Sequence, residues 1–277
     1  MSTFVITGSS TGIGEACTVR LARAGHRVIA GVRREVDGER LAAEHGSIVP
    51  VLLDITDQTH IDALLALLDE LGITALDGLV NNAGVVSGGP IEFLPLDEWR
   101  NHFEVNVVGQ VGVTKALIPL LRRGHGRVVF IGSLSGRVST PLVGPYGASK
   151  HAIEAIAESL REELSPWEIA VSVVEPGAVR TPIWEKGRAF ADDLEQRLPP
   201  EAHELYADAI DEIRRGIDSQ ERTGVPADDV AVAVERALTG RRPRYRYLVG
   251  RDAKAAGALE RFLPDRAMAY VTRRLGP

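Results

Sequence analysis

The amino-acid sequence predicts an α/β fold, with a doubly wound, mostly parallel sheet of seven strands. The first observation is that apolar runs of strand length alternate with amphipathic segments of helix length, which is the pattern of a parallel sheet. The second is that these runs are rich in Val and Ile and hardly alternate in polarity, as strands buried on both faces do. The chain has 277 residues, 44% hydrophobic and 25% charged, and is long enough for such a core. We therefore expect one domain over residues 1–277.

The predicted elements follow one another regularly along the chain. The strands are Thr3–Thr7, Arg27–Val32, Ile48–Leu53, Gly78–Val80, Gly126–Ile131, Ile169–Val174 and Tyr245–Val249. The helices are Ile13–Ala24, Asp57–Leu71, Pro95–Arg122 and Tyr146–Leu164, each with Ala, Leu or Ile at three- and four-residue spacing. Residues 182–224 depart from this alternation, because they are charged, helical in pattern and interrupted by proline. We predict that they form a C-terminal substrate lid, inserted before the last strand.

Composition and charge exclude several classes of function. The apolar stretches, such as Ile61–Leu71, end well short of the ~20 residues that cross a bilayer, so we expect no membrane span. The formal net charge of −6 opposes the affinity for phosphate backbones that clustered positive charge provides, so we expect no nucleic-acid partner. The seven histidines are scattered without the spacing of a zinc helix, and no metal site is predicted.

The start of the chain and its single cysteine indicate a compartment. Met1 leads directly into the first predicted strand, without the basic segment, apolar run and cleavage site of a secretory signal. Cys17 has no cysteine partner, which fits a reducing compartment, and we expect it to lie in the core. We therefore expect a cytoplasmic protein.

A glycine cluster follows the first predicted strand and begins the first predicted helix. It reads Thr7-Gly-Ser-Ser-Thr-Gly-Ile-Gly14. Alone, such a cluster is often no more than a turn, but between a strand and an amphipathic helix it lets backbone N–H groups approach a pyrophosphate at the helix N-terminus. Its spacing is G-x-x-x-G-x-G, not the G-x-G-x-x-G of many two-domain dehydrogenases. We therefore predict a dinucleotide-binding turn.

Four further motifs stand after later strands. They are Asn81-Asn-Ala-Gly84, Ser133, Tyr146-Gly-Ala-Ser-Lys150 and Pro176-Gly-Ala-Val-Arg-Thr181. With the glycine turn, they make the sequence resemble the short-chain dehydrogenase/reductase family over roughly Thr3 to Thr181. The glycine spacing resembles the dehydrogenase/reductase branch, and residues 133–163 resemble its members that act on retinoids and hydroxysteroids. The resemblance implies a Rossmann-type fold and a nicotinamide cofactor.

The same resemblance assigns residues to cofactor binding. In chain order they are Gly8, Ser10, Thr11, Gly12, Ile13, Gly14, Arg33, Asp54, Ile55, Asn82, Ala83, Gly84, Tyr146, Lys150, Pro176, Gly177, Val179 and Thr181. It implies that Asp54 and Ile55 contact the adenine, although helix capping is the alternative role for polar residues at that place. Asn81 and Ala83 would approach the ribose, and Thr181 would reach the carboxamide.

The end of the second strand decides the preference between NAD and NADP. Val32 stands where the family usually carries an acidic residue, and the following Arg33 can make a bidentate contact with a 2′-phosphate. NADP(H) is therefore favoured and NAD(H) remains possible, because Thr11 stands where many NADP-dependent relatives have Lys or Arg. The alternative role for Arg33 and Arg34 is a solvated strand end.

Tyr146 and Lys150 form the predicted acid/base pair. Hydride transfer to a carbonyl carbon requires a proton for the developing alkoxide, and a free tyrosine titrates near ~10. Lys150 lies four residues later on the same helix face, where its charge favours the phenolate. Of the five tyrosines, only Tyr146 has a lysine at this offset. The resemblance implies that Ser133 holds the substrate oxygen and that Asn106 positions a water linking Lys150 to solvent.

These residues predict an NADP(H)-dependent oxidoreductase that interconverts a ketone or aldehyde with an alcohol on a small-molecule substrate. Two alternatives stay open: a catalytically idle NADP(H)-binding sensor or scaffold, and an acyl-thioester ketoreductase. A hydrophobic substrate is favoured because the predicted lid carries bulky apolar residues that can close over the nicotinamide. They are Pro182, Ile183, Trp184, Phe190, Leu194, Leu198, Leu205 and Tyr206.

The fourth and fifth helical segments carry more apolar residues than a sheet-covering helix needs. They include Val107, Val111, Ala152, Ile156 and Leu160. Since relatives pair these helices across a two-fold axis, we expect a homodimer or homotetramer.

Overall fold

The structure is a computed structural model that describes residues 1–264, 266 and 267, apart from the side chains of Lys186, Ile213 and Arg261. The remainder of the predicted domain, up to residue 277, lies outside the described residues. Seven parallel strands form the central sheet, in the order β3-β2-β1-β4-β5-β6-β9. Their bounds are β1 Thr3–Ile6, β2 Arg27–Val32, β3 Ile48–Leu52, β4 Gly78–Asn81, β5 Arg127–Ile131, β6 Ala170–Pro176 and β9 Arg246–Val249. Two short strands, β7 Val179–Arg180 and β8 Val225–Pro226, pair with each other.

Ten α-helices occur in the described part of the chain. They are α1 Gly12–Arg23, α2 Glu35–Glu44, α3 Gln58–Glu70, α4 Leu96–Phe103, α5 Gln110–Gly124, α6 Gly144–Leu164, α7 Ile183–Arg197, α8 Pro200–Thr223, α9 Ala227–Thr239 and α10 Arg251–Phe262. A π-helical segment, Glu104–Gly109, joins α4 to α5.

The core consists of two apolar layers, one on each face of the sheet. Because successive strand residues point to opposite faces, Val5 enters one layer while its neighbours Phe4 and Ile6 enter the other. Helices α3, α5 and α6 cover the first layer, and α1, α2 and α9 cover the second. Cys17 lies in the second layer, fully buried, as the sequence predicts.

The predicted fold class is confirmed: a seven-stranded parallel sheet lies between two layers of helices in one domain. Each predicted strand is present, with ends that differ by at most two residues. The predicted helix Pro95–Arg122 is wrong as a continuous α-helix, because the π-helical segment interrupts it.

Helices α2, α9 and α10 were not predicted from the sequence. Helix α2 is short and charged, and it contains Gly38, at which a Cβ would lie 2.8 Å from Pro50 Cβ. Helix α9 could have been predicted from its apolar periodicity, since Val230, Val234 and Ala237 are buried at four- and three-residue spacing.

Residues 182–224 are helical and interrupted by proline, as predicted: Pro199 lies between α7 and α8, and Pro200 begins α8. Leu194 and Leu198 pack with Leu94 and Ala202 in a third apolar cluster, separate from the two layers on the sheet. Leu205 does not share in this cluster, because its side chain is exposed.

Two surface features bear on the predictions about membranes and assembly. Among the described residues, every helix is too short or too polar to serve as a membrane span. Val108 and Val111, on the π-helical segment and α5, are exposed apolar side chains. An exposed apolar face is what a second copy of the chain would cover, and the homo-oligomer stays a prediction.

Candidate active site

The glycine turn connects the carboxyl end of β1 to the start of α1. Gly8 has φ +67°, a left-handed conformation that favours glycine. A Cβ on Gly14 would fall on the carbonyl oxygen of Gly8 and lie 2.5 Å from Asn82 Nδ2. The turn is therefore packed against the end of β4 so closely that only a hydrogen fits at residue 14.

Thr7 and Asn82 join the glycine turn to the end of β4. The Asn82 amide donates to the carbonyls of Thr7 and Gly8, at 3.0 and 2.9 Å. The Thr7 hydroxyl accepts from the backbone N–H groups of Asn82 and Ala83, each at 3.0 Å. These four hydrogen bonds hold the predicted pyrophosphate and ribose contacts in one rigid unit.

The start of α1 fits an anionic cofactor. Thr11 occupies the N-cap position in an extended conformation, and among the described residues its side chain makes no capping hydrogen bond. The first N–H groups of the helix are thus left for a ligand, and the helix dipole favours negative charge there. The glycine turn and α1 together fit the pyrophosphate of a dinucleotide.

The ends of β2 and β3 place charged residues beside one another. Arg33 is exposed, and its charge helps to lower the pKa of Asp54. Partial burial opposes that shift, while hydrogen bonds from Thr56 to the Asp54 carboxylate, at 3.0 and 2.7 Å, favour it. Arg34 forms a forked ion pair with Asp37, at 2.8 and 2.9 Å. Of the two adjacent arginines, Arg34 is thus engaged within the fold.

The capping role considered for Asp54 belongs to Asp57. The Asp57 carboxylate accepts from the N–H of Thr59 at 2.8 Å and caps α3. Asp54 instead closes a local turn through Thr56. Ile55 is buried in the first apolar layer, against the backbone of Gly109. The adenine contacts of Asp54 and Ile55 stay predictions.

The segment after β6 returns to the glycine turn. Thr181 lies against Gly12, where an added Cβ would be 3.1 Å from the Thr181 side chain. Gly177 donates its N–H to the Val249 carbonyl at 3.0 Å, and the N–H of Ala178 donates to Asp252 on α10 at 2.7 Å. The predicted nicotinamide segment is therefore placed beside the predicted pyrophosphate turn.

Ser133 and Tyr146 are brought together at the carboxyl end of β5. Ser133 begins the short 3₁₀ turn Leu134–Gly136, and Tyr146 lies in the first turn of α6. Burial raises the pKa of the Tyr146 phenol above its usual range, and the nearby Ser133 hydroxyl opposes that shift. Tyr146 is partly exposed as a whole residue, so a ligand can reach it.

Lys150 lies one helical turn after Tyr146 and is 5% exposed. Its ammonium is 5.7 Å from the centroid of the Tyr146 ring and donates to the Ile131 carbonyl at 2.8 Å. Burial lowers the pKa of Lys150 to about 8, and the negative charge of Glu154 opposes this shift. The ammonium is thus held beside the phenol, and it loses its proton at mildly alkaline pH.

Asn106 lies in the π-helical segment, fully buried. Its amide donates to the Val85 carbonyl and to the Ser149 hydroxyl, each at 3.0 Å, and its carbonyl accepts from the Val85 N–H at 2.8 Å. Ser149 in turn donates to the Tyr146 carbonyl at 2.7 Å. Asn106 is therefore linked to the helix of Tyr146 and Lys150, and such π-segments are frequent at functional sites.

Several residues that build the site were not singled out from the sequence. Gln110 donates to the Ala83 carbonyl at 2.8 Å, and Thr114 accepts from Asn81 at 2.7 Å. With Asn106, they form a polar stripe at four-residue spacing within an apolar helix, which the sequence does display. Arg40 donates to the Ser10 carbonyl at 2.6 Å and pairs with Glu15 at 2.5 Å; one surface arginine among many offers no such signal.

The fold and the site define an oxidoreductase that acts on CH–OH and C=O groups with NAD(P). The model of the family described as "short chain dehydrogenase" matches residues 2–192. The chain belongs to this family.

Relatives and a solved structure agree with this assignment. The chain is 32% identical to an NADPH-dependent 3-dehydrocapnine reductase of Ornithobacterium rhinotracheale, over 96% of this chain and 94% of that protein. It is 37% identical to retinol dehydrogenase 5 of Mus musculus, over 96% and 86%. The crystal structure of a short-chain dehydrogenase from Streptomyces avermitilis superposes with a TM-score of 0.77 at 29% identity, covering 99% of this chain and 96% of that one.

Proposed function

We propose that the protein is an NADP(H)-dependent oxidoreductase that interconverts the carbonyl and alcohol forms of a hydrophobic small molecule, with Tyr146 as the acid/base. One observation carries the proposal. The Tyr146 phenol, the Ser133 hydroxyl and the Lys150 ammonium meet at the carboxyl end of β5, next to a glycine turn that fits a dinucleotide. The carboxyl ends of parallel strands are where open α/β sheets bind their ligands.

In this proposal Tyr146 moves the proton. A bound nicotinamide cofactor supplies the hydride in the reductive direction and accepts it in the oxidative one. Tyr146 donates its phenolic proton to the substrate oxygen as that oxygen gains negative charge, and recovers a proton when the substrate is an alcohol. The positive charge of Lys150 favours the phenolate that is left.

Ser133 and Asn106 support this transfer from different sides. The Ser133 hydroxyl lies beside the phenol, so it can bind the same substrate oxygen and orient it toward Tyr146. Asn106 is bonded to the Val85 backbone and, through Ser149, to α6. In this proposal Asn106 holds α6, the helix of Lys150, in place. It also orders the solvent through which protons return to Lys150.

The residues that would hold the cofactor follow the carboxyl ends of neighbouring strands of the sheet. The glycine turn and the uncapped start of α1 would hold the pyrophosphate. Asp54 and Ile55 would bind the adenine, the segment from Asn81 to Gly84 would approach the ribose, and the segment from Pro176 to Thr181 would bind the nicotinamide. Two features favour NADP(H): Arg33 is exposed beside Asp54, and the Ornithobacterium relative is named NADPH-dependent.

Replacement of Arg33 tests the cofactor preference. We expect Arg33→Ala to weaken NADPH binding about tenfold while changing NADH binding little, because one charge-assisted contact to the 2′-phosphate contributes roughly that factor. Titration of both cofactors by fluorescence measures it. Arg34→Ala is the matched control, since Arg34 is engaged by Asp37. Equal losses for the two cofactors, or equal losses in the two variants, would show that Arg33 does not recognise the phosphate.

The proposed substrate is apolar because the helices that follow Thr181 carry bulky apolar side chains. Leu194 and Leu198 pack on Leu94 in the third cluster, and the Trp184 indole donates to the Val179 carbonyl at 2.7 Å. The Tyr206 phenol donates to Glu92 at 2.9 Å, which joins α8 to the loop before α4. Helices α7 and α8 would thus act as a lid that excludes water from the reaction. The retinol dehydrogenase 5 similarity points in the same direction.

A substrate series separates this proposal from its alternatives. With NADPH or NADP, the purified protein is assayed against a retinoid, a hydroxysteroid, acetoacetyl thioesters and a small polar ketone. We expect turnover of the bulky apolar substrates to exceed that of the small polar ketone. Preferential turnover of the thioester would identify an acyl-thioester ketoreductase. Tight NADPH binding with no turnover of any of them would favour an idle sensor or scaffold, against which the complete set of Ser133, Tyr146 and Lys150 argues.

A further inference from the structure

A buried cluster of charges lies behind the candidate active site, outside the residues used so far. Glu175, at the end of β6, is fully buried, and Glu154, on α6, is 8% exposed. Arg246 on β9 pairs with both carboxylates, at 3.1 Å each. Arg137, after β5, pairs with Glu175 at 3.5 Å. Buried ion pairs of this kind contribute little net stability, because the desolvation of each charge opposes their attraction. These buried charges therefore invite an explanation beyond stability.

Glu154 is the member of this cluster that reaches the site. It follows Lys150 by one helical turn, and the two side chains therefore share a face of α6. Its Oε1 atom would lie 3.2 Å from a Cβ on Gly132, the residue before Ser133. Among the described residues, no hydrogen bond reaches this buried oxygen. One carboxylate oxygen thus lies next to Gly132, which precedes Ser133, while Oε2 is held by Arg246.

The charged groups around Lys150 determine which of its protonation states is favoured. The titratable and charged groups on the elements packed there are Tyr146, Glu154 and Glu158 on α6, Glu175 on β6, Arg137 after β5, and Arg246 on β9. Glu154 is the one whose negative charge raises the pKa of Lys150, against the burial that lowers it. Burial raises the pKa of Glu154 itself, and Arg246 and Arg137 oppose that shift. The arginines therefore favour the ionised form of Glu154, and the charge of Glu154 in turn favours the protonated form of Lys150.

We propose that Glu154 is a positioning residue whose buried carboxylate, held by Arg246, maintains the positive charge of the Lys150 ammonium. This inference rests on the proposed function, because it matters only if Lys150 assists Tyr146.

Glu175 has a different role in the cluster of buried charges. Burial raises the pKa of its carboxyl to about 7, and the neighbouring Glu154 adds to the shift while the two arginines oppose it. Glu175 can therefore take up a proton and leave the negative charge on Glu154.

The test is the replacement of Glu154 by glutamine, with Glu158→Gln as the matched control. Gln keeps the volume and an oxygen for Arg246 and removes only the charge. Glu158 also pairs with Arg246, at 2.7 Å, but its side chain is 55% exposed and it lies two turns from Lys150. Both variants thus lose a carboxylate partner of the same arginine, and only one loses the charge beside the lysine. Thermal unfolding confirms that each variant is folded.

The readout is the pH dependence of kcat for alcohol oxidation, together with NADPH titration over the same pH range. Loss of a neighbouring negative charge makes Lys150 release its proton at lower pH. We therefore expect the alkaline limb of the kcat profile, and the alkaline decline in NADPH affinity, to move down by about one pH unit in Glu154→Gln. Glu158→Gln should leave both in place, and Glu154→Asp, which keeps the charge, should restore most of the wild-type profile.

Three outcomes would contradict the inference. The first is that the alkaline limb of the kcat profile does not move in Glu154→Gln. The second is that the limb moves equally in Glu158→Gln. The third is that it moves as far in Glu154→Asp as in Glu154→Gln. Lys150→Ala separates this inference from the proposed function. If Lys150→Ala loses turnover while the limb of Glu154→Gln is unmoved, only the role of Glu154 fails. If Lys150→Ala keeps wild-type turnover, the proposed role of Lys150 fails and the role of Glu154 fails with it.

Discussion

Tyr146→Phe is expected to lower kcat by at least a hundredfold while leaving the fold and the NADPH affinity near their wild-type values. The change removes one oxygen atom, and with it the proposed proton donor. General acid–base groups contribute factors of about 10² to 10⁴ to the rate, which corresponds to about 2.7 kcal/mol or more of the barrier. The ring stays in place at the start of α6, so the packing around Lys150 and Ser133 is kept. Steady-state turnover, NADPH titration and thermal unfolding measure the three quantities.

Tyr247→Phe is the matched control for this substitution. The same atom is removed, but the Tyr247 hydroxyl accepts a hydrogen bond from the backbone N–H of Arg244, at 2.9 Å, on the edge strand β9. We expect turnover to stay within about twofold of wild type. Tyr146→Phe with more than a tenth of wild-type activity would exclude the phenol as the proton donor. A loss that is equal in both variants would point to damage to the fold.

The second large effect is expected from Gly14→Ala, which should lower both the free energy of unfolding and the affinity for NADPH. The new methyl group would fall on the carbonyl oxygen of Gly8 and lie 2.5 Å from Asn82 Nδ2. A backbone oxygen cannot rotate away as a side chain can, so the glycine turn or the end of β4 must move. Overpacking of this kind costs about 1–3 kcal/mol, and it displaces the N–H groups that would hold the pyrophosphate. Chemical denaturation and fluorescence titration measure the two losses.

Gly187→Ala is the control, because it makes the same change in another helix. At Gly187, in α7, nothing lies within 4 Å of the position that a Cβ would take. Alanine is the better helix former, so we expect a gain of about 0.5–1 kcal/mol in the free energy of unfolding and unchanged NADPH affinity. If Gly14→Ala bound NADPH as tightly as wild type, the close packing of the glycine turn would not be needed for the cofactor site.

Local patterns predicted most of the sheet and the positions of the site motifs. Strands such as Thr3–Ile6 and Arg127–Ile131 are buried on both faces along most of their length, so their apolar runs are continuous and easily recognised. The glycine turn, Ser133 and Tyr146 follow strands directly, and parallel strands bring such positions to one edge of the sheet. Helix α2 escaped prediction because it has little apolar periodicity: Leu41 enters the second apolar layer, whereas Val36 is exposed.

The sequence by itself thus determined the class of fold, the family and the candidate residues, because these depend on periodicity and on residues at fixed offsets. The tertiary structure decided which neighbouring residues differ in role. Arg34 is engaged by Asp37 whereas the adjacent Arg33 is exposed beside Asp54, and Glu154 is buried behind Lys150 whereas Glu158, one turn away, is exposed. The burial of Glu154 and its ion pair with Arg246 arise from contacts between elements far apart in the chain, and it is burial that sets the pKa of Lys150, against which Glu154 acts.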